Sequence, residues 1–243
     1  MEVSIKNLEV SVSGKKIIDS LNLELKGNEV HVIMGPNGSG KTTLSHAIAG
    51  SPFYKVEGEI MINGNNISSI PPDERARRGV FLSFQSPPFI EGITVLQLIK
   101  KAYFRLNGIE DNNILEYKKL RNKIGLALEF LSLSEDFLKR EINKNFSGGE
   151  KKKAEMLQML VLEPFFIILD EIDSGLDVDS LRIVARAINK MKSKERVFLV
   201  ITHYNRILKH ISPDFVHVMM NGNIIKSGGK ELADYIEENG YKF

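Results

Sequence analysis

Short apolar runs rich in β-branched residues recur along the chain, at 29–34, 59–62, 80–84, 165–169, 197–201 and 215–219. Their length and composition predict strands, several of them buried on both faces. Longer stretches with helical spacing lie between them, so the chain is expected to be an α/β domain with a largely parallel sheet. The first 30 residues differ, because Val3, Ile5, Leu8, Val10 and Val12 alternate with polar positions and a turn signal stands at Ser13-Gly14-Lys15. That pattern predicts antiparallel strands at the start. From about residue 86 to 155 no strong strand is seen. Residues 112–133 carry Ile114, Leu115, Tyr117, Leu120, Ile124, Leu128 and Leu131 at helical spacing, read as a core-packing stripe. One domain over 1–243 follows, with an α/β core and β subdomain in 1–85 and 156–243 and an inserted helical subdomain in 86–155.

Composition narrows the function classes. Lys plus Arg is 33 against 31 for Asp plus Glu, a net charge of +2, which makes no case for a nucleic-acid partner. No cysteine is present, so disulfides, thiol nucleophiles and thiolate metal ligands are excluded. The opening MEVSIKNLEV mixes acids and bases and does not read as a signal peptide. No apolar run approaches the roughly 20 residues that span a bilayer, so no direct membrane insertion and a cytoplasmic location are expected.

The strongest chemical signal is GPNGSGKTT, formed by Gly35, Pro36, Asn37, Gly38, Ser39, Gly40, Lys41, Thr42 and Thr43. It is a full P-loop, preceded by an apolar strand and followed by a helical pattern from Lys41. Glycines let successive N–H groups point at phosphate oxygens, and the helix N-terminus adds partial positive charge. Lys41 is expected on the β- and γ-phosphates of ATP, with Thr42 on Mg2+. Residues 165–171, FFIILDE, are an apolar strand ending in acids. After a P-loop this predicts Asp170 as a Mg2+ ligand and Glu171 as the general base or water-positioning group.

Residues 146–150 read FSGGE. Ser147 offers a hydroxyl, Gly148 and Gly149 offer unobstructed N–H groups, and a helix starting near Glu150 points its N-terminus at an anion. The same residues also make an adequate helix cap. This segment resembles the signature motif of the ABC ATPases, and the resemblance covers essentially the whole chain. It implies that the second cradle faces the γ-phosphate held by a partner subunit, in a transient ATP-dependent homodimer. It also implies a Q-loop glutamine at Gln85, contacting Mg2+ or the attacking water. Ser174-Gly175-Leu176-Asp177 matches a D-loop, and His203 a switch histidine near the γ-phosphate. The family's adenine-stacking aromatic is missing near Val12, which predicts apolar contact with the base and weak discrimination against GTP.

Within that family, three segments resemble SufC-type ATPases of the Suf iron–sulfur assembly system: LDEIDSGLD, PPDERARR with the following GVFLSFQSPPFIEGITV, and FSGGEKKKAEM. The C-terminal ELADYIEENGY resembles their closing helix. The resemblance implies SufB/SufD-type scaffold partners, bound around 86–98, where Pro87, Pro88, Phe89 and Ile90 form a stiff apolar stretch. That stretch is read either as interaction surface or as folded back onto the helical subdomain. Asp173 is expected to alter the position or ionisation of Glu171, by pairing with Lys151, Lys152 or Lys153. The alternatives are the nucleotide-binding subunit of an ABC membrane importer and a nucleotide-dependent clamp with little turnover.

Overall fold

The structure of the chain is a computed structural model that describes every residue except Asn112, Gly175, Tyr204, Asn205 and Phe243. Gly175 of the expected D-loop and Asn112, at the start of the expected helical stripe, thus lie outside the described residues. The alternation at the N-terminus folds as a hairpin of β1 (Glu2–Val12) and β2 (Lys15–Lys26), paired antiparallel with Val12 opposite Lys15. Its turn is Ser13-Gly14, with φ of 48° and 79°, the left-handed pair that a two-residue hairpin requires. β4 (Lys55–Ile62) and the short β5 (Asn65–Asn66) complete an antiparallel sheet ordered β2-β1-β4-β5.

The second sheet is built from β3 (Val30–Met34), β6 (Val80–Ser83), β7 (Phe166–Asp170), β8 (Val197–Ile201), β9 (Phe215–Met220) and β10 (Asn223–Gly228), in the order β10-β9-β3-β8-β7-β6. All neighbours are parallel except the β9–β10 pair. β3, β7 and β8 are buried at every position, which is why they read as continuous apolar runs without alternation.

The helices are α1 (Lys41–Ala49), α2 (Pro72–Arg77), α3 (Val95–Leu106), α4 (Ile114–Leu131), α5 (Gly148–Leu162), α6 (Val178–Met191) and α7 (Lys230–Asn239); α3 and α4 pack on α5. The segment between β6 and β7 holds α3, α4 and α5, and α5 runs on to deliver the chain into β7. The α4 stripe is buried at Leu120, Ile124, Leu128 and Leu131, but Ile114 and Leu115 are each 71% exposed. The core-packing reading of the stripe therefore holds for the later turns only, where α4 packs on α5; the first turn faces solvent. Arg75, itself buried, closes the far end of α1 by donating to the carbonyls of Ala47 and Ile48 as well as Ser68 and Ile70.

Because β3, β6, β7 and β8 are parallel, their C-terminal ends lie along one edge of the sheet. Gly35 directly follows β3 and Glu171 directly follows β7, while Gln85 and His203 each stand one intervening residue beyond the ends of β6 and β8. Four segments far apart in sequence are thereby brought to one rim.

The same sheet buries a histidine pair. His31 Nε2 lies 2.9 Å from Glu29 Oε2, His31 Nδ1 lies 3.0 Å from His217 Nε2, and His217 Nδ1 lies 2.8 Å from Ser227 Oγ. The carboxylate can only accept, so neutral His31 donates to it and accepts from His217, which accepts from Ser227. Phe215 stacks on His31, and Asp214 is the other carboxylate acting on it. Burial pushes His217 down to about 4, aided by His31, and also lowers His31 against the pull of Glu29. An unfolded imidazole titrates near 6.5, so the unfolded chain binds the extra proton first as pH falls. Stability contributed by neutral His217 is thus full above about pH 6.5 and is lost as pH falls towards 4, at up to about 1.4 kcal/mol per pH unit. Urea melts across that window are expected to show a shallower pH slope for His217→Gln than for the unchanged chain.

Candidate functional site

The P-loop conformation follows from its glycines. Gly38 and Gly40 have φ of 77° and 105°, and a Cβ on Gly35 would lie 2.1 Å from the Met219 carbonyl oxygen. Gly40 is the N-cap of α1 and offers no side chain to the first turn, which also holds no acid. The first N–H groups of α1 therefore remain for an external anion.

Lys41 is buried and folds back into its own loop, donating to the Gly35 carbonyl at 2.8 Å, the Pro36 carbonyl at 3.0 Å and Ser39 Oγ at 3.3 Å. Burial pushes its ammonium down to about 8, against the pull of Glu171 and Asp170. A cavity of about 700 Å3 opens over this loop. Asn37, Gly38, Gly40, Lys41, Thr42 and Thr43 form its floor; Gln85, Glu171, Ser174 and His203 form one wall, and Lys15 and Ile17 of β2 form another. The sequence marks Lys15 only as part of the turn signal and does not single out Ile17, since the base-binding wall is expected near Val12. Their signal is position at the hairpin base, visible only once β2 is laid over the P-loop.

Asp170 is fully buried at the end of β7. Its Oδ2 lies 2.7 Å from Ser45 Oγ of α1, while its Oδ1 is buried with no hydrogen-bond partner. Burial raises its pKa, the nearby Glu171 adds to that, and the Ser45 hydroxyl opposes both. Glu171 has φ of 47°, a conformation non-glycine residues seldom hold without surrounding support. Its N–H donates to the Ile201 carbonyl at 2.9 Å. Its carboxylate is held from both sides, by Gln85 Nε2 at 2.6 Å and by His203 Nε2 at 2.8 Å.

Asp173 does not pair with a lysine of 151–153, which corrects the expectation above. It is buried, and both its oxygens accept from the Thr202 hydroxyl, at 3.0 and 2.8 Å. The turn after β7 folds against the end of β8, so the residue beside His203 is its neighbour, and Lys152 is committed to Glu155 and the Phe84 carbonyl. Burial raises the Asp173 pKa, with Glu171 adding to it.

Ser147 is the N-cap of α5. Its Oγ accepts from Glu150 N–H at 3.2 Å, and the Glu150 carboxylate accepts from Ser147 N–H at 2.8 Å. Arg140 pairs with Glu150 and stands over the Phe146 ring. This box uses the hydroxyl as an acceptor and leaves its own proton free to donate. Gly148 and Gly149 N–H, in the first turn, have no intrahelical acceptor, and Ser147 and Gly148 are exposed. None of Ser147, Gly148, Gly149 or Asp177 lines the cavity over the P-loop. Asp177 caps α6, its Oδ1 accepting from Ser180 N–H at 2.7 Å. Among the described residues no cluster of three or more His, Cys, Asp or Glu could hold a metal by itself, and no helix is long and apolar enough to cross a membrane.

Known proteins share this architecture. A family model described as "ABC transporter" matches residues 18–174. A probable ATP-dependent transporter of Synechocystis sp. is 49% identical over 99% of this chain and 94% of its own length. Vegetative protein 296 of Bacillus subtilis is 46% identical over 98% of this chain and 91% of its own. Among solved structures, a nucleotide-free ATP-binding cassette from an ABC transporter superposes with a TM-score of 0.79 at 28% identity, covering 98% of this chain and 96% of that one.

The state of Lys41 gives a pH dependence. Without an anion beside it, its proton is lost as pH rises through about 8, and a bound polyphosphate restores it. ATP affinity is therefore expected to fall above that pH, with close to one proton taken up per ATP at about pH 9 and almost none at about pH 7. Calorimetry in buffers of different ionisation enthalpy measures that uptake.

Proposed function

The chain belongs to the ABC transporter family and is an ABC-type ATPase that binds ATP, and within that family we propose that it hydrolyses ATP as a homodimer that remodels a SufB/SufD-type scaffold in the cytoplasm. The observation that carries the hydrolytic part is Glu171, held over the P-loop cavity between Gln85 and His203. In this reading the N–H groups of Gly38 to Thr43 and the Lys41 ammonium take the β- and γ-phosphates. Glu171 orients a water and receives its proton as oxygen attacks the γ-phosphorus and the bond to the β-phosphate oxygen breaks. His203 holds the second carboxylate oxygen and then faces the transferred phosphoryl group.

Asp170 Oδ1, buried and unpartnered, suits a hard cation that prefers oxygen donors. Thr42, Asp170 and Gln85 are the residues that would hold Mg2+, whose chemistry is to neutralise charge on the phosphates.

The reading as a dimer rests on the second cradle. Ser147, Gly148 and Gly149 point free donors outward from a helix end that does not line the chain's own cavity, so a second copy brings them to the γ-phosphate. A related cassette was solved as a dimer bound to ADP and phosphate; at 23% identity it shares the fold. The Suf reading is supported by the sequence segments described above and by the stretch after Gln85. Phe89 and Ile90 are 46% and 40% exposed, and Asn143 donates to the Pro88 carbonyl at 2.8 Å, fixing the backbone beneath them. Two adjacent exposed apolar residues on a fixed backbone support reading this stretch as an interaction surface. The second reading, a subunit of a membrane transporter, draws on the name of the Synechocystis relative; a permease co-purifying in place of a scaffold would select it.

Glu171→Gln keeps the shape of the side chain and removes the base. With ATP and Mg2+ it is expected to elute from a sizing column as a stable dimer, and a monomer saturated with ATP would refute the sandwich. Phe89→Asp is expected to leave basal turnover within about twofold and to abolish most of the stimulation by a SufB/SufD-type scaffold, since a charge at an apolar contact is left desolvated and unpaired.

A further inference from the structure

The cavity over the P-loop has two unlike walls. Gln85, Glu171, Ser174 and His203 stand on one side, and Lys15 and Ile17 of β2 on the other. A nucleotide lying on the P-loop with its γ-phosphate at Glu171 runs its nucleoside towards β2, the wall that remains. Ile17 stands at the loop itself, since its Cγ2 would lie 3.6 Å from a Cβ on Gly40. Lys15 is two residues, or about 7 Å, along the same strand.

Strand alternation decides which of two adjacent lysines meets the ligand. Successive side chains point to opposite faces, so Lys15 shares the face of Ile17 and Lys16 does not. Lys16 is held by Glu9 at 2.7 Å and Asp19 at 2.9 Å. Lys15 is exposed and makes no ion pair or side-chain hydrogen bond among the described residues. Its backbone is fixed by pairing with Val12 across the Ser13-Gly14 turn. What separates it from an ordinary solvated lysine is its place on a cavity wall that carries no aromatic ring and no carboxylate. Glu171 is the one acid lining the cavity among the described residues, and it stands on the opposite wall.

Such a wall can donate to a base and cannot accept from it. An ammonium has three donors and no acceptor. Guanine presents two neighbouring acceptors on one edge, O6 and N7, whereas adenine presents N7 beside an amino group that is itself a donor. Ile17 supplies apolar contact that does not distinguish the two purines. We infer that Lys15 is the specificity-determining residue for the base, donating to the O6–N7 edge of guanine, so that the site takes GTP in preference to ATP. The missing aromatic alone would make the two nucleotides nearly equivalent; the lysine gives the difference a sign. This rests on the reading that places the γ-phosphate at Glu171 and the phosphates on the P-loop.

The test is competition binding on the full chain, with EDTA present so that no nucleotide is hydrolysed. ATP, GTP, ITP and inorganic tripolyphosphate each displace a ribose-labelled fluorescent ADP. GTP is expected to bind about fivefold more tightly than ATP, the low end for a base contact because the lysine is exposed. ITP keeps O6 and N7 but lacks the 2-amino group, and is expected to match GTP. Lys15→Met should bring GTP and ITP down to the level of ATP and leave tripolyphosphate unchanged. Lys15→Arg should keep the guanine preference, and Lys15→Glu, an acceptor facing the adenine amino group, should reverse the order. Equal affinities for ATP and GTP in the unmutated chain would overturn the assignment, as would a GTP preference that survives in Lys15→Met. So would a Lys15→Met protein that loses the same factor for every nucleotide and for tripolyphosphate, since the lysine would then be acting on phosphate charge. Lys41→Ala tests the underlying reading separately: nucleotide binding that is unchanged in that variant would remove the P-loop cavity itself as the site.

Discussion

Peptide N–H groups can hold a polyphosphate where a helix begins without a side-chain cap, and α1 begins that way. Gly40 provides no capping atom and the first turn carries no acid, so the donors stay unused until an anion arrives. The surroundings enforce this. The Met219 carbonyl leaves no room for a Cβ at Gly35, Arg75 ties down the other end of α1, and Lys41 waits on the loop's own carbonyls. The parallel strands then bring Gln85, Glu171 and His203 to the same rim. Removing the uncapped helix would leave a rigid sheet edge with three polar side chains and no binding energy for phosphate.

The N-terminus of α5 contrasts with it. Here a serine and a glutamate close a capping box, and an arginine stacked on Phe146 holds the glutamate. This end is held in place before any ligand arrives, yet still presents a hydroxyl proton and two glycine N–H groups to solvent. One helix end is an uncapped cradle and the other a closed cap. They occupy different parts of the chain, so the proposed sandwich asks for a second copy to bring the two together.

Legibility in the sequence followed the range of the interactions. The strands buried on both faces, the Ser13-Gly14 hairpin and the P-loop depend on neighbours within a few residues, and they could be read directly. Glu171 was legible because it closes an apolar strand that follows a P-loop, and Gln85 and His203 only through the family resemblance; the mutual hydrogen bonds of the three depend on strand order. What could not be read joins residues far apart. Ser45 reaches Asp170, Thr202 takes Asp173 where a lysine was expected, and Glu155 and Lys152 hold Phe84. Nothing in FSGGEKKKAEM marks the second of its three adjacent lysines as the buried one. The exposed first turn of α4 escaped for a related reason, since periodicity gives the face of a helix but not how far its neighbours extend.

The central claim is that one chain supplies the P-loop, Asp170 and Glu171 of a site while another supplies Ser147, Gly148 and Gly149. It is tested most directly by mixing two inactive forms, Glu171→Gln and Gly148→Asp. The first lacks a base but has a sound α5 end; the second has a base but places a negative charge where phosphate must approach. In a mixed dimer one of the two sites combines the sound halves of both chains. The account predicts that steady-state ATP turnover of the mixture exceeds that of either form alone at the same total protein concentration. Turnover that never rises above the two separate activities would contradict it.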